Sequence, residues 1–241
     1  MSGHSKWSTI KRQKGITDAK RSAVFTKLGK AISVAARLGG PDTETNFRLR
    51  LAIEKAREAN MPNENVDRAI KKGAGAGEGQ QIEEVTYEGF GPHGTTLLIQ
   101  TVTDNRNRTV GEIRSILSKL NGSLGSANSV AWQFENLGVI RIPSDQLAKI
   151  DKETFSLDLI EAGAQDVQDS AEGLTILVPA NGFAAMQKFI AAKNITPLSA
   201  DLEFVAKQPI KLSEKDSEKL KTLIEAIDEH EDVTAIWTNA D

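Results

Sequence analysis

Apolar and polar positions alternate along this chain with two rhythms, one helical and one extended. Val24, Leu28, Ala31 and Ala35 recur at helical spacing, Ile32 widens the stripe, and Asp18 lies in the opening turn. Lys27, Lys30 and Arg37 project away from that stripe. Gly39, Gly40 and Pro41 stop the helix, because glycine tolerates a left-handed ending and proline fixes the backbone after it. A second helix is predicted over 45–59, burying Leu49, Ala52, Ile53 and Ala56. A third begins near Pro62, buries Val66, Ala69 and Ile70, and ends at Gly73. Short helices are unstable alone, so the three form one small bundle. The alternating glycines of 73–79 read as a hinge.

From Glu83 the rhythm becomes extended. Segments 85–88 and 95–103 read as strands separated by the turn-rich 89–94, helix 109–120 buries Val110, Ile113, Ile116, Leu117 and Leu120, and 129–135 reads as another strand. Near the carboxy terminus a helix starts at Ser213, with Asp216 in a capping-box-like position and Leu220, Leu223, Ile224 and Ile227 as its stripe. A strand follows over 233–237. Between these lies β-α-β-β-α-β: strand 139–142, helix 152–162, strands 166–169 and 174–178, a helix capped by Asn181 with Phe183, Met186 and Ile190 inward, and strand 202–205. If that stretch closes on itself, its flanks must complete each other, 95–135 giving β-α-β and 208–237, with 209–212 as an edge strand, giving the rest. The expected fold is therefore α+β in three domains: a helical bundle, then two ferredoxin-like α/β domains, one inserted in the other. The expected boundaries are 1–80, 81–135 plus 207–241, and 136–206.

Charge changes this picture more than composition does. The 241 residues carry a net charge of -3, which by itself suggests no polyanionic partner. Residues 1–72, however, hold 16 Lys and Arg against 7 Asp and Glu, and residues 132–241 hold 10 against 20. One extremity is thus cationic enough to attract a polyanion while the remainder keeps the molecule soluble. The first 30 residues hold 8 basic residues against the single acid Asp18.

Several function classes drop out. With no cysteine, disulfides, thiolate zinc sites and cysteine nucleophiles are excluded. The apolar run 95–102 falls short of the roughly 20 residues a membrane helix needs, and the amino terminus lacks the apolar segment of a secretory signal, so a cytoplasmic location and no membrane partner are expected. His4, His93 and His230 have no metal-ligand spacing and are expected at the surface; His93, in a glycine-rich turn beside Glu88, is the one placed for acid-base work. Neither glycine run has the ending of a phosphate loop, and no carboxylate pair such as Glu83-Glu84 shows the unequal environments that acid-base catalysis needs. The expectation is a protein that is not an enzyme, with no cofactor and no metal.

The candidate polyanion contacts form two groups. In the opening arm Lys6, Lys11, Arg12 and Lys14 supply charge, Ser5, Ser8 and Thr9 supply donors, and Trp7 serves either as a stacking platform or as a core anchor. Lys20, Arg21, Lys27 and Lys30 extend that surface; Arg68, Lys71 and Lys72 add to it, beside Glu64 and Asp67. The second group is Asn105, Arg106, Asn107 and Arg108, at a strand-to-helix connection where guanidinium forks and amides suit phosphates or base edges and Asp104 orients an arginine or caps the helix. Without a sequence-reading motif, recognition by shape and backbone is expected.

Specific blocks carry a resemblance: Gly3-His4-Ser5-Lys6-Trp7, Asp18-Ala19-Lys20-Arg21, Phe25-Thr26-Lys27-Leu28, Asn60-Met61-Pro62, Arg68 to Gly73, Tyr87-Glu88-Gly89-Phe90-Gly91-Pro92, Thr103 to Thr109 and Ser129-Val130-Ala131-Trp132. In this order, over the full length, they resemble the YebC family, which includes bacterial proteins and mitochondrial translational activators of cytochrome oxidase subunit one. The resemblance implies a helical domain followed by two α/β domains, one interrupting the other. It also implies nucleic acid near the basic arm and the loop 104–108. Ribosomal RNA is the expected partner, together with ribosomal proteins, for a ribosome-associated translation factor; duplex DNA is the alternative, for a transcriptional regulator. The chain departs from related sequences at His93, where glycine is common, and at Gln13, where a cation is sometimes found.

Overall fold

The computed structural model describes residues 18–75, 82–148 and 150–241, with side chains from Ser22 onward. The arm bearing Lys6, Trp7, Lys11, Arg12 and Lys14 lies outside the described residues, as does most of the predicted hinge. Three helices come first: α1 (Asp18–Gly39), α2 (Phe47–Glu58) and α3 (Asn63–Gly73). Their facing stripes meet in one core containing Ile32, Ala35, Leu49, Ile53, Ala56, Val66 and Ala69, closed by Met61. Asn46 joins two of the helices. Its side-chain oxygen caps α2 by accepting from the Leu49 amide, while its amide nitrogen donates to the carbonyls of Ala35 and Gly40 at the end of α1. On the other side α1 and α3 approach so closely that a Cβ on Gly73 would stand 2.1 Å from the Ser33 carbonyl oxygen.

The next elements are β1 (Glu83–Phe90), β2 (Thr96–Thr103), α4 (Arg106–Lys119) and the two-residue β3 (Ser123–Leu124). Much later come α7 (Glu214–Asp228) and β8 (Val233–Thr238). They build an antiparallel sheet in the order β3-β1-β2-β8. Here the structure corrects the expected flanks. Residues 129–133 are not a strand, since a short 3-10 turn spans Ala131–Gln133, and 209–212 contributes only an isolated bridge between Ile210 and Ala240. The sheet is instead a β1–β2 hairpin with one strand added on each side. Leu97 and Ile99 on β2, Ile113 and Leu117 on α4, and Leu223 and Ile227 on α7 share a core. Leu98 and Val102 point to the opposite face yet are also buried, because α1 lies against β2 and β8. This explains why α1 is buried beyond its predicted stripe at Val34, whereas Ser33 is covered by α3, its hydroxyl donating to the Ala69 carbonyl.

Residues 133–208 make a separate compact unit. It contains β4 (Phe134–Pro143), α5 (Lys152–Glu161), β5 (Asp166–Ser170), β6 (Gly173–Pro179), α6 (Phe183–Ala192) and β7 (Ser199–Ala206). The sheet is antiparallel in the order β5-β6-β4-β7, and β4 and β7 pair over eight residues from Phe134↔Ala206 to Arg141↔Ser199. Phe155, Leu159, Phe183, Met186 and Ile190 supply the buried side of the helices. The architecture is α+β, a helical region followed by two antiparallel sheets, and no described helix is long and apolar enough to cross a membrane.

The Gly73 contact sets a test. Gly73→Ala places a methyl group against backbone that cannot swing aside, so the helical region should lose about 1–3 kcal/mol in denaturant unfolding. An unchanged midpoint would show that α1 and α3 separate at no cost.

Candidate nucleic-acid interface

The second predicted contact group sits where β2 hands over to α4. The chain leaves Thr103, whose hydroxyl accepts from the Asn105 amide at 2.9 Å, and Asn105 in turn caps α4 by accepting from the Arg108 amide at 3.1 Å. Asn105 therefore performs the local task that loop chemistry offers an asparagine. Arg106 and Asn107 are exposed, and the Tyr87 hydroxyl donates to the Arg106 carbonyl at 3.3 Å.

Arg108 points elsewhere. Its guanidinium reaches Asp104 at 3.1 Å and Asp232 at 3.3 Å. Asp232, at the turn between α7 and β8, is fully buried and collects partners from three parts of the chain. Lys30 of α1 lies 2.6 Å from its Oδ1, and the Thr109 hydroxyl 2.7 Å from its Oδ2. Burial opposes ionisation of this carboxyl, but the hydrogen bonds from Lys30, Thr109 and Thr103 and the Lys30 charge overcome it, bringing its pKa down from 3.8 to about 2. One turn earlier on α1, Lys27 bonds to Asp228 through both its carboxylate and its carbonyl.

Lys27 and Lys30, expected to project away from the α1 stripe and extend the cationic surface, meet carboxylates there. Both ammonium groups are held by the acidic carboxy-terminal segment, 201 and 202 residues away along the chain. Their immediate role is to seat α1 against the sheet, as Arg108 seats the start of α4. Lys20 and Arg21 lie on the first turn of α1, with their side chains outside the described set.

Of the histidines expected at the surface, His93 is exposed, His4 lies outside the described residues, and His230 is the exception. The His230 side chain is 8% exposed. Its Nδ1 accepts from the Asp232 amide at 3.1 Å, which leaves Nε2 to donate to Glu112 at 2.7 Å. His93 occupies left-handed backbone at φ 60°, a conformation glycine adopts more readily than histidine, and stands 2.8 Å from Asp216. No group of three or more His, Asp or Glu among the described residues could hold a metal ion.

Another arrangement was invisible in the sequence. The Glu88 carboxylate is buried and receives the backbone amides of Asn128, Val130 and Ala131 at 2.5, 2.6 and 2.8 Å. Burial opposes its charge, but those amides hold the carboxyl below its usual range. Two blocks some forty residues apart, 87–92 and 129–132, are thereby one structural device.

Comparison with known proteins completes the description. The family model described as the TACO1/YebC protein N-terminal domain matches residues 5–76, and the one described as the TACO1/YebC second and third domain matches residues 82–240. The chain belongs to the TACO1/YebC family. Among TACO1/YebC relatives, a "Probable transcriptional regulatory protein" of Chlorobium luteolum is 44% identical over 99% of this chain and 95% of its own length. A protein of the same description from Desulforamulus reducens is 44% identical over 99% of this chain and 98% of its own length. The crystal structure of a conserved hypothetical protein from Aquifex aeolicus superposes with a TM-score of 0.81 at 38% identity, covering 93% of this chain and 91% of that one.

Asp232 gives this TACO1/YebC chain a distinct acid response. A carboxyl whose pKa is lowered on folding stabilises the protein above its unfolded value, and that stabilisation is lost as pH falls through the folded value. Between about pH 4 and pH 2 the protein should therefore lose about 2 kcal/mol from this group. Asp232→Asn should remove that share of the acid dependence and, by leaving Lys30 without its buried carboxylate, cost about 3–5 kcal/mol at neutral pH. Parallel acid limbs in urea melts of the two proteins would contradict this role.

Proposed function

We propose that this chain is a nucleic-acid-binding regulator of gene expression, acting on transcription by gripping the sugar-phosphate backbone with its helical region. One observation carries the reading. Arg37, Arg57, Arg68, Lys71 and Lys72 are exposed and, among the described residues, have no carboxylate within 4.0 Å. Arg68, Lys71 and Lys72 fall at i, i+3 and i+4 on α3 and so share one side of that helix. Such a stripe can replace counterions along a polyanion, whereas Lys27, Lys30 and Arg108 already have acidic partners. The bland alternative for the two lysines is that they only complement the carboxy-terminal end of the helix dipole. That would account for Lys71 and Lys72 but not for Arg68, nor for the six cations among the first 30 residues other than Lys27 and Lys30.

The level of action follows the relatives, whose names describe regulators of transcription. A ribosome-associated translation factor, docking on ribosomal RNA and ribosomal proteins through the same cations, is the second reading. It draws on the family's translational activators. On either reading Lys6, Trp7, Lys11, Arg12, Lys14, Lys20 and Arg21 are proposed contacts on their sequence chemistry alone, and Arg106 and Asn107, exposed at the start of α4, are proposed contacts as well. The fold then works by binding, with no reaction of its own.

Competition of duplex DNA against structured RNA at physiological salt separates the two readings, a preference for the duplex supporting the first. For either polymer, log affinity should fall with log salt by about 0.7–0.9 per phosphate contacted. Replacing Arg68, Lys71 and Lys72 together by Gln should flatten that slope by about 2–3 and leave the melting temperature within a few degrees. Binding insensitive to salt would remove the basis of the proposal.

A further inference from the structure

The nucleic-acid reading gives residues 133–208 no task, yet helix α5 in that unit is apolar on both of its sides. Phe155 and Leu159 are buried, as a stripe one turn apart requires. Leu157 and Ile160, however, are 66% and 47% exposed. At about 100° per residue, Leu157 falls opposite the Phe155–Leu159 stripe and Ile160, three positions on, lies beside it. A single leucine in water needs no explanation. A pair at i and i+3 on the solvent side of a ten-residue helix is different, because polar residues would serve the helix there equally well.

The helix carrying this pair is fixed at several points. Asp151 caps it, accepting from the Glu153 amide at 3.2 Å and from the Thr154 hydroxyl at 2.6 Å. Lys152 reaches Asp169 of β5 at 2.8 Å, and Asp158 meets Lys193, just past the end of α6, at 2.9 Å. Those two lysines are thereby committed. Glu153 and Glu161 stand four residues before and four residues after Leu157, so they border it on the same outward side. Both are exposed, and among the described residues neither has a cation within 4.0 Å. The wider setting has the same sign, since residues 151–170 hold six Asp and Glu against the single base Lys152.

We infer that the Leu157–Ile160 side of α5 docks a basic, amphipathic segment of a protein partner, whose apolar side chains cover the two residues while its lysines or arginines meet Glu153 and Glu161. Charge selects this occupant. Nucleic acid and anionic lipid carry the sign that this surface repels. A second copy of the same face would bring Glu153 and Glu161 against their own counterparts across a two-fold axis. A cationic polypeptide gains both from the apolar contact and from the carboxylates around it. Size agrees, because two side chains and their rim fall far short of the roughly 800 Å² per partner of a standard interface, and so suit a slender segment laid along one helix. The inference stands apart from the nucleic-acid reading, which places its contacts on other elements.

The test puts a photo-crosslinking side chain on the full-length protein in cells, as Leu157→benzoylphenylalanine, and identifies the adducts by mass spectrometry. The expected adduct is a protein segment of net positive charge. That segment, made as a peptide, should bind the wild-type protein, and Leu157→Ser with Ile160→Ser should weaken it by about 10- to 100-fold. Glu153→Gln with Glu161→Gln should weaken it at low salt and match the wild type at high salt, where the attraction is screened. Both double variants should keep the wild-type melting temperature and its affinity for nucleic acid, because the four side chains are exposed. No adduct, or an adduct with nucleic acid, lipid, an acidic segment or a second copy of this chain, would overturn the inference. So would equal peptide affinity for the wild type and the charge variant at low salt, or a lowered melting temperature in both variants, which would assign these residues to the fold. Failure of the protein to bind nucleic acid would sink the earlier reading and leave this one standing.

Discussion

The carboxylate of Asp232 is the constraint on which the larger unit turns. A buried charge without partners would neutralise itself or unfold its surroundings, so its position dictates where cations and hydroxyls must be. Lys30 comes from α1, Thr103 and Thr109 flank the β2–α4 connection, and Arg108 closes from the first turn of α4. The backbone amide of Asp232 itself donates to His230 Nδ1 and fixes that ring. Helical region, sheet and carboxy-terminal helix are therefore joined at one ionic point and do not rely on apolar contact alone. Apolar packing tolerates sliding, whereas a buried ion pair penalises it steeply, so α1 has one seat on the sheet.

Much of this fold was legible because apolar periodicity is local information. The stripes at Leu49, Ile53 and Ala56, at Ile113 and Leu117, and at Leu220, Leu223 and Ile227 are buried as their spacing required. Ser213 caps α7 through the Asp216 amide, as the capping-box pattern anticipated. The strand expected over 129–135 failed for a physical reason. Val130, Trp132 and Phe134 alternate as a strand would, but Val130 is drawn inward by the loop that Glu88 clamps, and Phe134 opens β4 of the other unit. Alternation cannot distinguish a strand from a loop whose amides are taken by a distant side chain.

The candidate site was legible in its charges and illegible in their pairing. Net charge by segment can be counted from the sequence, yet nothing near Lys27 or Lys30 announces partners at Asp228 and Asp232. In sequence, Asp232 is one acid among several in an exposed-looking run. Only tertiary structure separates it, fully buried, from its neighbour Glu231, which is exposed. The acidic carboxy-terminal segment thus does more than balance charge, since part of it is the seat on which the basic helix rests. Arg68, Lys71 and Lys72 of α3 have no such seat among the described residues, so the side of α3 they share is a narrower surface than composition alone suggests.

The placement of β8 beside β2 has a consequence for how the chain comes into being. Strand β2 is complete at Thr103, but the strand that covers its second edge is not synthesised until residue 238, after the whole of 133–208. That intervening unit starts and finishes on neighbouring strands, with Phe134 opposite Ala206, so it can fold while the earlier part waits. Until then Leu97 and Ile99 lack α7, Lys30 lacks its carboxylate, and β2 shows an unpaired edge of the kind that invites intermolecular pairing. Vectorial synthesis therefore leaves the cationic helix unmoored longest, and the last thirty residues act as the clasp that locks it.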